Sequence, residues 1–141
     1  MTIRLAEPAD VVQLLQLYRQ LSTRYIWNPS AVIAALHHPT TNIYVYVDDL
    51  GTILGTATLS TRAVPCYGLV GYVDDVVVDR AVQRQGIARQ LMVHLHEQAR
   101  QLDCRCLELT SHDQRSAAIK LYEQLGYERR ETNAYRLLLG N

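Results

Sequence analysis

Val76, Val77 and Val78 close the stretch "GYVDDVVVD", and the period of the apolar residues then changes, with Ile87, Leu91 and Leu95 recurring at four-residue spacing. The first pattern predicts a buried strand and the second a helix. After that helix "CRCLELTS", Cys104 to Ser111, predicts another strand. Strand, helix and strand in this order make a right-handed crossover, which commits the chain to an α/β architecture. The handover between the first strand and the helix is a polar loop, "RAVQRQGIA", in which Gly86 lies between Arg84 and Arg89.

The flanking segments supply the remaining elements. "TIRLA" predicts a short first strand, and Pro8, preceded by Glu7 and followed by Asp10, opens a helix. Val11, Leu14, Leu15, Tyr18 and Leu21 form its apolar stripe. "RYIW" breaks that stripe, and "NPSAVIAALHHP" predicts a shorter helix with Asn28 as cap, Pro29 at its first position and Pro39 as stop. "NIYVYVDD" and "TILGTATL" alternate around Asp48-Asp49-Leu50-Gly51 as a hairpin. "DQRSAAIKLYEQLG" predicts a helix capped by Asp113, with Ala118, Leu121, Tyr122 and Leu125 along one face and Gly126 as its stop. "YERRETNAYRLLL" predicts a closing hairpin with a polar tip. The order is β-α-α-β-β-β-α-β-α-β-β, a mixed central sheet of about six or seven strands flanked by about four helices.

At 141 residues, 48% of them hydrophobic, the chain is expected to form one domain, residues 1–141, with a core of its own. Its formal net charge of +0 argues against a general nucleic-acid binder, which carries a basic excess or stripe. No apolar run approaches the ~20 residues that span a bilayer. "MTIRLAEPADVV" lacks the apolar block of a signal peptide, so a cytoplasmic protein is expected. Cys66, Cys104 and Cys106 make no disulfide framework and suit a reducing compartment. Two thiols without a matching pair make a poor zinc site, and His94 and His96 point in different directions on their helix, so no metal is expected.

The polar loop has two readings. The first N–H groups of a helix have no intrahelical partner and attract anions. Gly86 would let a phosphate approach the backbone, Ala88 keeps the next turn small, and Gln83 and Arg84 add side-chain donors. An ordinary connection with solvated arginines is the alternative. There is no Gly-Lys-Ser/Thr for a nucleotide P-loop and no G-x-G-x-x-G after a first strand. What is present is Gln83-x-x-Gly86-x-Ala88 after a valine-rich strand and, downstream, "AAIKLYEQLGYER", Ala117 to Arg129.

These two motifs, in this order and separated by one helix and one strand, resemble the Q/R-x-x-G-x-G/A signature and the late A-x-x-L/F-Y-E-x-L-G-F/Y helix of the GCN5-related N-acetyltransferase (GNAT) superfamily. The resemblance covers nearly the whole chain and implies acetyl-CoA as co-substrate. Its pantetheine arm would pair with Val76, Val77 and Val78 as an added strand does. Its diphosphate would rest on the amides of Arg84, Gln85, Gly86, Ile87 and Ala88, with Gln83 alongside. Tyr122 would donate a proton to the departing thiolate, and core packing is its other reading. A backbone N–H at a bulge in the valine strand would polarise the carbonyl. The resemblance implies direct attack by the amine, without an enzyme nucleophile.

Asp74 and Asp75 are a separate oddity. On a regular strand they point to opposite faces, and a sheet covered on both sides cannot bury two unpaired carboxylates cheaply. Either one reaches a wet cleft or the strand bulges. In branches of the superfamily an acidic pair at this point lines the acceptor site, which makes Asp74 or Asp75 a candidate for binding the ammonium or taking its proton. A carboxylate paired with a nearby arginine is the other reading.

The resemblance places Arg115 where many members carry asparagine, to bond the pantetheine or attract an anionic substrate group. His112 would line the acceptor cleft or sit in a solvated turn. Tyr25 and Trp27 lie where members vary their acceptor specificity, or staple two helices together. A small-molecule amine is the leading acceptor, with a peptide amine or a non-catalytic acyl-CoA-binding module as alternatives. Nucleic acid and membrane are not expected partners, and the superfamily's frequent dimers leave a homodimer open.

Overall fold

The first strand, β1 (Thr2–Leu5), turns through a 3-10 segment at Pro8–Asp10 into α1 (Val11–Leu21). Asp10 is the reason the turn holds. Its carboxylate receives two hydrogen bonds from the Arg4 guanidinium, at 2.7 and 3.1 Å, and a third from the Glu7 N–H at 2.8 Å. Asp10 is buried, and the Arg4 hydrogen bond holds its pKa below the ordinary carboxylate value. A depressed pKa means that this stabilisation is complete above the unfolded value and is lost as pH falls through the folded one. Asp10→Asn is therefore expected to cost about 2 kcal/mol at about pH 7 and much less at about pH 3, read from urea midpoints.

Pro29 opens α2 (Pro29–His37) as expected, with the Asn28 side chain accepting from the Ser30 N–H at 2.8 Å. Next come β2 (Thr41–Val47) and β3 (Ile53–Val64), joined at Asp48–Gly51. There Asp48 accepts from the Leu50 and Thr52 N–H groups, and Gly51 takes a left-handed φ of 84°. β4 (Gly68–Val78), α3 (Ile87–Gln101) and β5 (Cys106–Leu109) complete the crossover. The sheet order is β1-β2-β3-β4-β5, antiparallel throughout except for the parallel β4–β5 pair.

Both faces of this sheet are covered. Leu14, Leu17 and Tyr18 of α1 join Ile43, Val45 and Val77 in one core cluster. On the other face α3 lies so close that a Cβ at Gly55 would stand 3.1 Å from both Ile87 and Leu91 side-chain carbons. Leu91, Met92 and Leu95 of α3 are fully buried. Truncating Leu91 to alanine is expected to cost about 2–5 kcal/mol, measured by urea denaturation. That packing fixes where the start of α3, and so the polar loop, comes to rest.

The computed structural model describes residues 1–140, and these divide into two units, residues 1–110 and the chain from Ser111 on. The first unit holds every element named so far. The second holds α4 (Ser116–Gln124). Asp113 is not its cap. The chain first turns at His112, whose Nδ1 accepts from the Gln114 N–H at 3.2 Å and whose carbonyl accepts from the Arg115 N–H at 2.9 Å. That turn consumes Asp113, so Arg115 becomes the residue before the helix. Gly126 ends α4 with a φ of 97°, as expected. The closing hairpin is not seen as such. Residues 128–140 carry no regular element, so the sheet among the described residues has five strands where six or seven were expected. No described helix is long and apolar enough to cross a membrane.

Candidate active site

The two consecutive aspartates are resolved by a bulge. In the β3–β4 ladder Thr58 faces Asp74 and Thr56 faces Val77, so Asp75 and Val76 together oppose Ala57. Asp75 takes a φ of 52°, in the left-handed region where a non-glycine residue is strained. The extra residue restores the alternation, because Val77 can again point into the α1 core after Asp74. Both carboxylates are exposed at the surface of their unit, and no ion pair with an arginine is formed by either among the described residues. Partial desolvation raises both pKa values, and the neighbouring Asp74 charge raises that of Asp75 further.

Beyond the bulge the sheet parts. The β4–β5 ladder ends at Val73–Leu109, whereas the β3–β4 ladder continues to Gly55–Val78. Val76–Val78 are therefore paired along one edge and leave the other edge without a ladder partner in this unit. Main-chain groups on such an edge accept an extended polar chain as an added strand.

The loop that follows is held from both ends. Asp79 accepts from the Ala81 N–H at 3.0 Å, and Gln20 of α1 accepts from the Arg80 N–H at 2.9 Å. Gln83 donates to the Val78 carbonyl at 3.4 Å, so its side chain is folded back onto the strand. Arg84 and Gly86 both adopt left-handed φ values, 66° and 80°, and Gly86 provides no side-chain cap for α3. The first intrahelical bond of α3 runs from the Gln90 N–H to the Gly86 carbonyl at 3.0 Å. The N–H groups of the first turn before it are the donors a helix leaves open. A Cβ at Gly86 would meet nothing within 4 Å, so no protein atom fills the space beside this residue. The donor set fits an anion such as a diphosphate.

Trp27 behaves as a staple. Its indole stacks on the Tyr18 ring with centroids 4.8 Å apart, and its Nε1–H donates to the Ser22 carbonyl at 3.0 Å. Tyr25 meets Trp27 edge-on at 6.5 Å and is half-exposed. In the second unit Tyr122 lies in α4 with the Tyr127 ring 5.9 Å away, edge to face. Burial raises the Tyr122 pKa, with the Arg115 charge acting in the opposite direction. The phenol is thus a proton donor throughout the neutral range. His112 is exposed and engaged in its own turn. Among the described residues no three His, Cys, Asp or Glu side chains are grouped to hold a metal ion.

Sequence reasoning missed three buried groups beside the bulge. Thr56, Thr58 and Tyr18 are 0%, 7% and 3% exposed. Alternation in "TILGTATL" made the threonines look solvent-facing, and Tyr18 fitted the apolar stripe of its helix. The signal available was a Thr-x-Thr pair in a sheet covered on both faces, which must find hydrogen-bond partners indoors.

The model of the acetyltransferase (GNAT) family matches residues 10–127. The chain belongs to the GNAT family. A Trypanosoma brucei acetyltransferase superposes with a TM-score of 0.81 at 26% identity, covering 97% of this chain and 99% of its own. The ribosomal-protein-alanine N-acetyltransferase of Brucella melitensis biovar Abortus 2308 gives 0.82 at 20% identity, over 99% and 100%. Glucosamine-6-phosphate N-acetyltransferase of Arabidopsis thaliana gives 0.79 at 17%, over 96% and 97%. None of the curated proteins matches the sequence significantly. As a GNAT protein the chain is an acyltransferase, and the expected element order matches the GNAT fold apart from the strand count.

Proposed function

We propose that this GNAT enzyme moves an acetyl group from acetyl-CoA to a primary amine of a small molecule, by direct attack within a ternary complex. One observation carries the reading. Within residues 1–110, an unpaired strand edge at Val76–Val78 leads straight into an uncapped helix start with open space at Gly86. Amide groups of a pantetheine arm suit the first, and a diphosphate suits the second. The amides of Arg84, Gln85, Gly86, Ile87 and Ala88 then hold the diphosphate, with Arg84 adding charge. A backbone N–H at the Asp75 bulge polarises the thioester carbonyl. Tyr122 donates its proton to the departing thiolate, and Arg115 serves the pantetheine.

The amine must be neutral to attack. An alkyl amine of pKa ~10.4 is neutral only about 0.04% of the time at neutral pH, whereas an α-amino group of pKa ~8 is neutral about a tenth of the time. An alkylammonium therefore needs a carboxylate to bind it and a path for its proton, and Asp74 and Asp75 supply both. The fold itself leaves the acceptor open, since its neighbours include enzymes named for a ribosomal protein and for an amino sugar phosphate. Tyr25, half-exposed, offers an aromatic face to an apolar part of the acceptor. Three free cysteines suit the reducing cytoplasm, where the reading places the enzyme.

Calorimetric titration with acetyl-CoA is the direct test. Saturable one-to-one binding is expected, followed by thiol release when primary amines are screened; a folded sample that binds nothing rules the reading out. The raised carboxyl pKa values give a second expectation. Turnover rises with pH through a limb lying above the ordinary carboxylate value of ~3.9, because the base is active only once deprotonated. Asp75→Asn flattens that limb, and an unchanged profile removes Asp75 from the proton path.

A further inference from the structure

We propose that Gln20 is a positioning residue for the cofactor: its side-chain oxygen fastens the loop after β4 to α1 and so holds the amides of Arg84 to Ala88 in place for the diphosphate. The fastening stands on its own geometry, and its effect on binding rests on the acetyl-transfer reading.

The amides at the start of the loop single this residue out. The Asp79 N–H extends the β3–β4 pairing by donating to the Leu54 carbonyl at 2.9 Å. The Ala81 N–H goes to the Asp79 side chain and the Val82 N–H to the Asp79 carbonyl, both at 3.0 Å and both within the turn. Of these four amides only that of Arg80 reaches a helix, donating to Oε1 of Gln20 at 2.9 Å. A backbone N–H can only donate, so the oxygen of the carboxamide is the atom required.

The support behind that oxygen is firm, because Leu14, Leu17 and Tyr18 of α1 are buried in the core. Gln13 stands seven residues earlier, about two turns along the same face of the helix. It accepts from the Ile53 N–H at 2.8 Å and so holds the start of β3 instead of the loop. The far end of the loop is anchored by Ile87, which is buried and packs against Gly55. Between the two anchors Arg84 keeps a left-handed φ of 66°, which a non-glycine residue retains only where its surroundings impose it. Without the Gln20 bond the near anchor is lost, and arrangements in which the amides diverge become populated. Apparent affinity then falls with the fraction of molecules whose loop is ready to bind.

The test compares Gln20→Ala with Gln13→Ala, since alanine removes the carboxamide from either position and keeps the helix. Gln20→Glu, which restores an oxygen acceptor at the same reach, is the rescue. In the free protein, amide exchange is read at Ala81 and Val82, neither of which is bonded to Gln20. It is expected to accelerate about fivefold in Gln20→Ala, to stay at the wild-type rate in Gln13→Ala, and to return to that rate in Gln20→Glu. Calorimetry with acetyl-CoA is expected to show binding about fivefold weaker in Gln20→Ala and changed by less than about 1.5-fold in Gln13→Ala. Unchanged exchange at Ala81 and Val82 overturns the fastening. Equal losses of affinity in the two alanine variants, or a loosened turn with wild-type affinity, overturn the positioning role. A turn that loosens in Gln20→Ala, in a protein whose wild type binds no acetyl-CoA, upholds the fastening and overturns the acetyl-transfer reading.

Discussion

Gly86→Glu is expected to abolish acetyl-CoA binding, raising the Kd at least ~100-fold, equivalent to about 2.7 kcal/mol. Two effects act together. The carboxylate enters the open space beside Gly86 and competes for the first-turn amides of α3, the donors proposed for the diphosphate, and its charge repels what remains. The left-handed φ of 80° adds a backbone strain of about 1–2 kcal/mol for any residue with a Cβ, small enough for the unit to stay folded. Gly86→Ala separates the contributions, because its methyl meets no protein atom and carries no charge. Alanine is expected to weaken binding about tenfold if the diphosphate uses that space, and hardly at all if only the helix end attracts it. Calorimetry on both variants, with circular dichroism to verify folding, decides the matter. Normal binding by a folded Gly86→Glu protein would show that the loop holds something other than acetyl-CoA.

The parts of this fold that were legible are those governed by local chemistry. The strand-to-helix handover at Val78–Ile87 is written in a change of period, and Asn28–Pro29, Asp48–Gly51 and Gly126 carry the capping and turn chemistry their backbones use. Asp74-Asp75 announced an irregularity because two neighbouring carboxylates cannot share a covered strand, and the bulge is how the chain resolves it. What stayed illegible depends on tertiary partners. Asp113 looks like a cap until His112 claims the turn around it. Thr56 and Thr58 look exposed until α1 closes over them. The site divides the same way. Motif and period make Gly86 and Val76–Val78 candidates, whereas the left-handed turn of Asp75 at the bulge emerges only when β4 is laid against β3.

Tyr122→Phe is expected to lower kcat about 100-fold while leaving the acetyl-CoA Kd within about twofold. The reasoning begins with protonation. Burial raises the phenol's pKa, Arg115 opposes that rise, and the group stays protonated through the neutral range. A protonated phenol can give its proton to a thiolate that forms only as the thioester breaks, so the loss belongs to the transition state and not to binding. Phenylalanine keeps the ring packed edge-on against Tyr127 at 5.9 Å, and α4 should survive the change. Tyr127 is the natural control, since its pKa is raised by burial and by Tyr122 and it shares the same apolar environment. Tyr127→Phe is expected to leave kcat within about threefold. Single-turnover thiol release distinguishes the outcomes. A slow chemical step in Tyr122→Phe alone assigns the acid, equal losses in both variants point to packing of α4, and a normal rate in Tyr122→Phe removes it from the mechanism.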